Sequence, residues 1–135
     1  IAVDRSRIKS RAETKRRAGL ALDQGSSIVL FPEGGIYTQN PPQMVPFKNG
    51  AFRLAIEKQI AIVPVTLSYN HVILADQKEL ILKRMPAKMV LHQALHPAAF
   101  ATDEQLKDRC FEVIQEQLLK DNPATSTPEN LPNLS

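Results

Sequence analysis

Hydrophobic and polar positions change period several times along the chain. Residues 7–24 lack proline, are rich in Arg, Lys, Ala and Leu, and end before Gly25, which predicts a helix with a thin apolar stripe. "SSIVLF" at 26–31 is a short run closed by Pro32, with the composition of a strand buried on both faces. Residues 32–49 hold four prolines and two glycines and predict a long structured loop, a kind of segment that often carries function. "NGAFRLAIEKQ" at 49–59 places Ala51, Phe52, Ala55 and Ile56 at helical spacing, and "IAIVPVTL" at 60–67 predicts a second buried strand.

Residues 71–86 fit no single period, with helical stretches expected around "DQKELILKR" before Pro86. "AKMVLHQAL" at 87–95 alternates as a third strand does. Thr102 and Gln105 then form a capping-box signature, Asp103 and Glu104 suit a helix N-terminus, and Leu106, Cys110, Val113, Ile114 and Leu118 trace one helical face. The alternation of strand, loop, helix and strand predicts an α/β fold, a largely parallel sheet flanked by helices. One domain is expected over residues 1–120. Residues 121–135, with three prolines and three asparagines, are expected to be a flexible tail.

Composition narrows the class without naming a function. The 135 residues are 43% hydrophobic and 23% charged, as in a folded globular domain. No apolar run approaches the ~20 residues that cross a bilayer, and no signal-peptide pattern opens the chain. Cys110 is the single cysteine, so no intrachain disulfide forms, and its place among apolar helix positions suits an inert thiol. Of the net charge of +3, residues 1–17 carry +5 through Arg5, Arg7, Lys9, Arg11, Lys15, Arg16 and Arg17 against Asp4 and Glu13. Such a cluster either holds anionic groups or is a solvated helix face.

Glu33 is the residue with the most chemical promise. In "FPEGGIY" it stands between Pro32, which stops the preceding run, and Gly34 and Gly35, which permit backbone angles and close approaches closed to other residues. That places a carboxylate at the carboxyl end of an expected strand, where open α/β sheets bind ligands. The alternative is a turn glutamate facing water. His92 and His96 are four apart but fall in an expected strand and before Pro97, with no neighbouring acid or cysteine, so no metal site is expected. Aromatics at 5% and the lack of a nucleotide-type glycine loop argue against nucleotide or nucleic-acid partners.

Four blocks now stand in order: "VDRSR" at 3–7, "FPEGGIY" at 31–37, and "PFKNGAF" and "VPV" within 46–67. Together they resemble the glycerolipid acyltransferase family, typified by 1-acylglycerol-3-phosphate acyltransferases, over about half the chain. The resemblance implies transfer of a fatty acyl group from acyl-CoA or acyl-ACP to a hydroxyl of a lysophospholipid-like acceptor. It implies no cofactor beyond the donor thioester. It also implies acyl carrier protein and a membrane surface as further partners, at the cytoplasmic face of a membrane, peripherally or through an anchor outside these residues. By position Arg5 would hold an acceptor phosphate, Glu33 and Gly34 would shape the acceptor pocket, and Pro64 would lie on the strand supporting it. Arginine suits its role because its planar fork pairs with phosphate oxygens. Lys48 would add a second cation, with a solvated surface lysine as the alternative.

Two departures from the family pattern change the expectation. Gly35 and Ile36 replace the family's Thr-Arg, which removes a cation beside the acceptor. The family's base, the histidine of N-H-x-x-x-x-D, belongs ahead of "VDRSR", and "IAVDRSR" reads as a strand already under way. The chain is therefore expected to be an incomplete acyltransferase domain without activity of its own. "NHVILAD" spells the same pattern at Asn70, His71 and Asp76 but out of order, after the V-P-V strand. No catalytic residue is therefore expected in this chain beyond His71 with Asp76 as a candidate pair, the alternative being a strand-to-helix connection with an exposed histidine. Two other readings remain: a non-catalytic module binding anionic lipid through residues 5–17, and a purely structural α/β domain.

Overall fold

A computed structural model describes residues 8–35, 40–73 and 84–123. Its elements in chain order are α1 (Ile8–Asp23), α2 (Gly50–Lys58), β1 (Val65–Leu67), α3 (Asn70–Ile73), β2 (Met89–Leu91), a 3₁₀ turn at Pro97–Ala99, and α4 (Asp103–Asp121).

Helix α4 forms where the capping pattern predicts. The Thr102 side chain accepts the Gln105 N–H at 3.2 Å, and the Gln105 side chain accepts the Ala101 N–H at 2.9 Å. Caps of this kind are worth about 1 kcal/mol. Leu106, Cys110 and Leu118 are buried along one face, with Val113 and Ile114 partly so. Helix α2 buries Phe52, Leu54 and Ala55 and stops at Gln59, whose left-handed backbone (φ 54°) lets Ile60 N–H reach the Ala55 carbonyl at 3.0 Å.

The core lies between these two helices and the loop before α2. Phe47, Phe52, Ala55, Leu106 and Cys110 form its centre, with Met44, Ile56, Ile62, Leu95 and Phe111 packed around it. Phe47 stacks on Phe52 at 6.2 Å between ring centroids and meets the edge of Phe111 at 5.0 Å. Each large side chain buried here contributes about 1.5–3 kcal/mol.

Helix α1 packs on α2 with little apolar surface. Gly19 is buried at the crossing, and ion pairs flank it: Lys15 to Glu57 at 2.7 Å, and Lys58 to Asp23 at 2.7 Å. Exposed pairs of this sort contribute about 0.2–1 kcal/mol each.

Strands β1 and β2 pair antiparallel, with Val65 opposite Leu91, Thr66 opposite Val90 and Leu67 opposite Met89. A separate bridge joins Ile62 to Leu95, so from Leu91 to Leu95 one side of the ribbon advances a residue further than the other. This is a bulge, and it falls opposite Pro64, which has no N–H to donate; the Pro64 carbonyl takes the His92 N–H at 3.0 Å. Alternation sends Pro64, Thr66 and Ser68 inward, all fully buried, while Val63, Val65, Met89 and Leu91 stay exposed.

The inward polar groups are satisfied. Thr66 Oγ1 bonds His92 Nε2 at 2.8 Å. Ser68 Oγ donates to Asp121 Oδ2 at 2.5 Å, Lys88 Nζ donates to Asp121 Oδ1 at 2.6 Å, and Asn122 Nδ2 donates to the Ser68 carbonyl at 3.0 Å. The end of α4 is thus pinned to the ribbon. Bonds from Lys88, Ser68 and Gln117 draw the Asp121 carboxyl down to about 2.

Several expectations are corrected. Residues 26–31 are not a strand: no neighbour among the described residues pairs with them, and Val29 (86% exposed) and Phe31 (74%) lie open. The sheet of the described residues is one antiparallel pair rather than a largely parallel sheet, because residues 26–31 join no ladder. The strands expected over 60–67 and 87–95 shrink to three residues each, interrupted by Pro64 and the bulge. Of the residues expected to form a tail, Asp121 and Asn122 are bonded to Ser68. Residues 124–135 and most of the expected helix around 76–84 lie outside the described residues.

Two outcomes follow for stability. Leu106→Ala, at a fully buried site, is expected to cost about 2–5 kcal/mol in urea unfolding. Asp121 titrates at about 2 when folded against an ordinary 3.8, so its contribution is complete above 3.8 and lost as pH falls toward 2. Asp121→Asn should lower the urea midpoint near neutral pH, and the difference from the parent chain should close as pH drops through that window.

Candidate functional site

Pro32 and Glu33 occupy the middle of a turn closed by the Gly34 N–H on the Phe31 carbonyl at 3.0 Å. Proline suits the second position of such a turn and glycine the fourth. Gly34 has φ +75°, a left-handed angle at which other residues pay about 1–2 kcal/mol.

Two bonds tie this turn to the segment leading into α2. Val45 N–H donates to Glu33 Oε2 at 2.9 Å, and Lys48 N–H donates to the Pro32 carbonyl at 2.9 Å. The segment is itself held from below. Gln115 of α4 accepts the Met44 N–H at 2.9 Å and donates to the Pro42 carbonyl at 3.3 Å, and Phe47 is sunk in the core. Glu33, Gly34 and Lys48 therefore come together on a braced surface, a partly buried acid beside an exposed cation. The Lys48 stem runs over the Gly34 α-carbon: a β-carbon added to Gly34 would overlap Lys48 Nζ. A carboxylate accepts up to four hydrogen bonds, so Glu33 keeps capacity for a polar ligand beyond its bond from Val45.

The other candidate residues are placed as follows. Pro64 is fully buried on the ribbon. His71 lies in α3, half-buried, and burial lowers its pKa, which favours neutral imidazole at pH 7. Arg5 and Asp76, and with them the His71–Asp76 pairing, lie outside the described residues. His92 serves the ribbon through Thr66. Burial pushes the Cys110 thiol up to about 11, which leaves it unreactive near neutral pH. Of the basic cluster, Lys15 pairs with Glu57 and Arg16 with Glu13, so part of its charge is spent within the molecule. A groove of about 410 Å³ between residues 92–95 and α4, lined by His92, Leu95, Arg109 and Val113 among others, does not include the turn.

Sequence reading missed Gln115 and Val45. Gln115 did leave a signal, since it is a polar residue directly after the apolar pair Val113 and Ile114, and a polar group at a half-buried position needs partners.

The structure matches the crystal structure of the 1-acyl-sn-glycerophosphate acyltransferase PlsC from Thermotoga maritima with a TM-score of 0.69, over 84% of this chain and 46% of that one, at 21% identity. The family model described as Acyltransferase matches residues 1–68, and the chain belongs to the glycerolipid acyltransferase family. It is 30% identical over 88 residues to the chloroplastic 1-acyl-sn-glycerol-3-phosphate acyltransferase of Arabidopsis thaliana, covering 65% of this chain and 24% of that protein. It is 46% identical over 48 residues to the human 1-acyl-sn-glycerol-3-phosphate acyltransferase alpha, covering 35% of this chain and 16% of that one. The chain thus spans about a quarter or less of these relatives.

Glu33→Ala should leave the Val45 amide without its partner, at a cost of about 1–3 kcal/mol. Amide exchange at Val45 is expected to speed tenfold or more in that variant and to change little in Glu33→Gln, which keeps an acceptor oxygen.

Proposed function

We propose that this chain is the acceptor-recognition part of an acyltransferase that moves a fatty acyl group from a thioester donor to the free hydroxyl of a lysophosphatidate-like acceptor. The observation that carries the reading is the braced turn that sets Glu33, Gly34 and Lys48 side by side within the residues matched by the family. Lys48 and Arg5 supply positive charge for the headgroup, and Glu33 accepts hydrogen bonds from the acceptor's polar backbone. Pro64 stiffens the strand behind them. In this reading a largely parallel sheet belongs to the whole domain, beyond the one antiparallel pair of the described residues.

The reaction needs a base, because an alcohol holds its proton at neutral pH. A histidine fixed by an aspartate, as in N-H-x-x-x-x-D, takes that proton as the oxygen attacks the thioester carbonyl; the new C–O ester bond forms, the C–S bond breaks, and the thiol leaves with a proton. In this reading the pair belongs to polypeptide ahead of Ile1, and residues 1–135 alone do not turn over. The donor is acyl-CoA or acyl-ACP, and the work is done at the cytoplasmic face of a membrane. No helix among the described residues is long and apolar enough to cross one.

The test is an acyl-transfer assay with lysophosphatidate and acyl-CoA, run on the 135-residue chain and on a reading frame that places N-H-x-x-x-x-D ahead of Ile1. Turnover is expected only from the longer protein. There, Lys48→Ala should raise KM for lysophosphatidate about 10- to 100-fold, the loss of a charged hydrogen bond. Turnover by the 135-residue chain would overturn the division of labour and return the base to His71 with Asp76. Salt-sensitive binding to anionic vesicles without transfer by either protein would instead favour the lipid-surface module.

A further inference from the structure

We infer that Gly34 is a positioning residue for Lys48, a bare backbone seat that fixes where the lysine's ammonium meets an anionic headgroup. The inference rests on the reading that Lys48 binds that headgroup.

Gly34 answers two separate demands. Its φ of +75° calls for a residue tolerant of left-handed backbone, a demand asparagine also meets. The second demand is space, which no residue but glycine meets. A β-carbon here would overlap Lys48 Nζ and lie 2.9 Å from its Cε and 3.1 Å from its Cδ. These atoms are the far end of a flexible side chain, so they would yield before any backbone did. The lysine backbone is held by its N–H on the Pro32 carbonyl and by buried Phe47 next door. An occupied seat therefore swings the ammonium outward while the turn stays closed.

Gly25 is an internal control. It has nearly the same angle, φ +80°, at the end of α1, and a β-carbon there meets nothing within 4 Å. Asparagine at Gly25 tests the backbone angle alone; asparagine at Gly34 tests angle and seat together.

The experiment uses the 135-residue chain with its lysines ¹³C-dimethylated, which keeps their charge, and with the Lys48 signal assigned by its loss in Lys48→Arg. sn-Glycerol 3-phosphate is the titrant. The parent chain and Gly25→Asn should show a saturable Lys48 shift of equal midpoint, while Gly34→Asn should show a free-state Lys48 signal already displaced and a midpoint at least tenfold higher. A Gly34→Asn variant whose Lys48 signal and midpoint match the parent overturns the inference and leaves the headgroup reading standing. If Lys48 of the parent chain ignores glycerol 3-phosphate, the headgroup reading fails, and the free-state signal alone decides the seat: displaced in Gly34→Asn supports it, unchanged overturns it. Should Gly34→Asn fail to fold, Gly34→Asn with Lys48→Ala decides: recovery of the fold once the stem is gone supports the seat, and equal failure overturns it.

Discussion

Phe47 joins the parts of this molecule that the chain itself keeps apart. Its ring packs on Phe52 of α2 and against Phe111 of α4, while its backbone belongs to the loop whose next residue is Lys48. Burial of that ring locks the loop to the two helices. Everything at the candidate site is referenced to this anchor: Lys48 bonds Pro32, Val45 bonds Glu33, and Gln115 holds residues 42–44 from the helix side. A surface loop without such an anchor would place its cation loosely, and charged recognition loses most when a group must first be ordered.

The polar groups divide by role. Those of the ribbon are spent on structure: Thr66 bonds His92, and Ser68 and Lys88 both donate to Asp121 of α4. At the turn Glu33 is partly buried and Lys48 exposed. A fully satisfied network rigidifies, and an accessible acid and cation on a rigid base can bind.

The outward face of the ribbon differs from both. Val63, Val65, Met89 and Leu91 are exposed there, as are Val29 and Phe31 just before the turn. The strongly apolar composition of residues 26–31 and 60–67 is that of strands covered on two sides, whereas the described residues cover only the inward face of 64–68 and leave Val29, Leu30 and Phe31 exposed.

The sequence by itself determined the elements whose causes are local. The Thr102 and Gln105 cap, the apolar face of α4, the stop of α1 at Gly25 and the spacing of α2 each depend on residues within a few positions, and each appears as expected. For Glu33 it left two readings open, the carboxyl end of a strand or a turn, and the bond from the Gly34 N–H to the Phe31 carbonyl decides for the turn. What depends on distant partners was decided only in three dimensions. Residues 26–31 have strand composition, yet a strand exists only where a neighbour accepts its ladder. Pro64 cost β1 its expected length through a missing donor that matters only opposite a particular partner. The bracing of the turn by Gln115, across more than seventy residues of chain, left only a misplaced glutamine to read. Spacing showed that Gly34 could turn the backbone; the tertiary structure added that Lys48 lies across it, because closing the loop onto the core is what brings the two together.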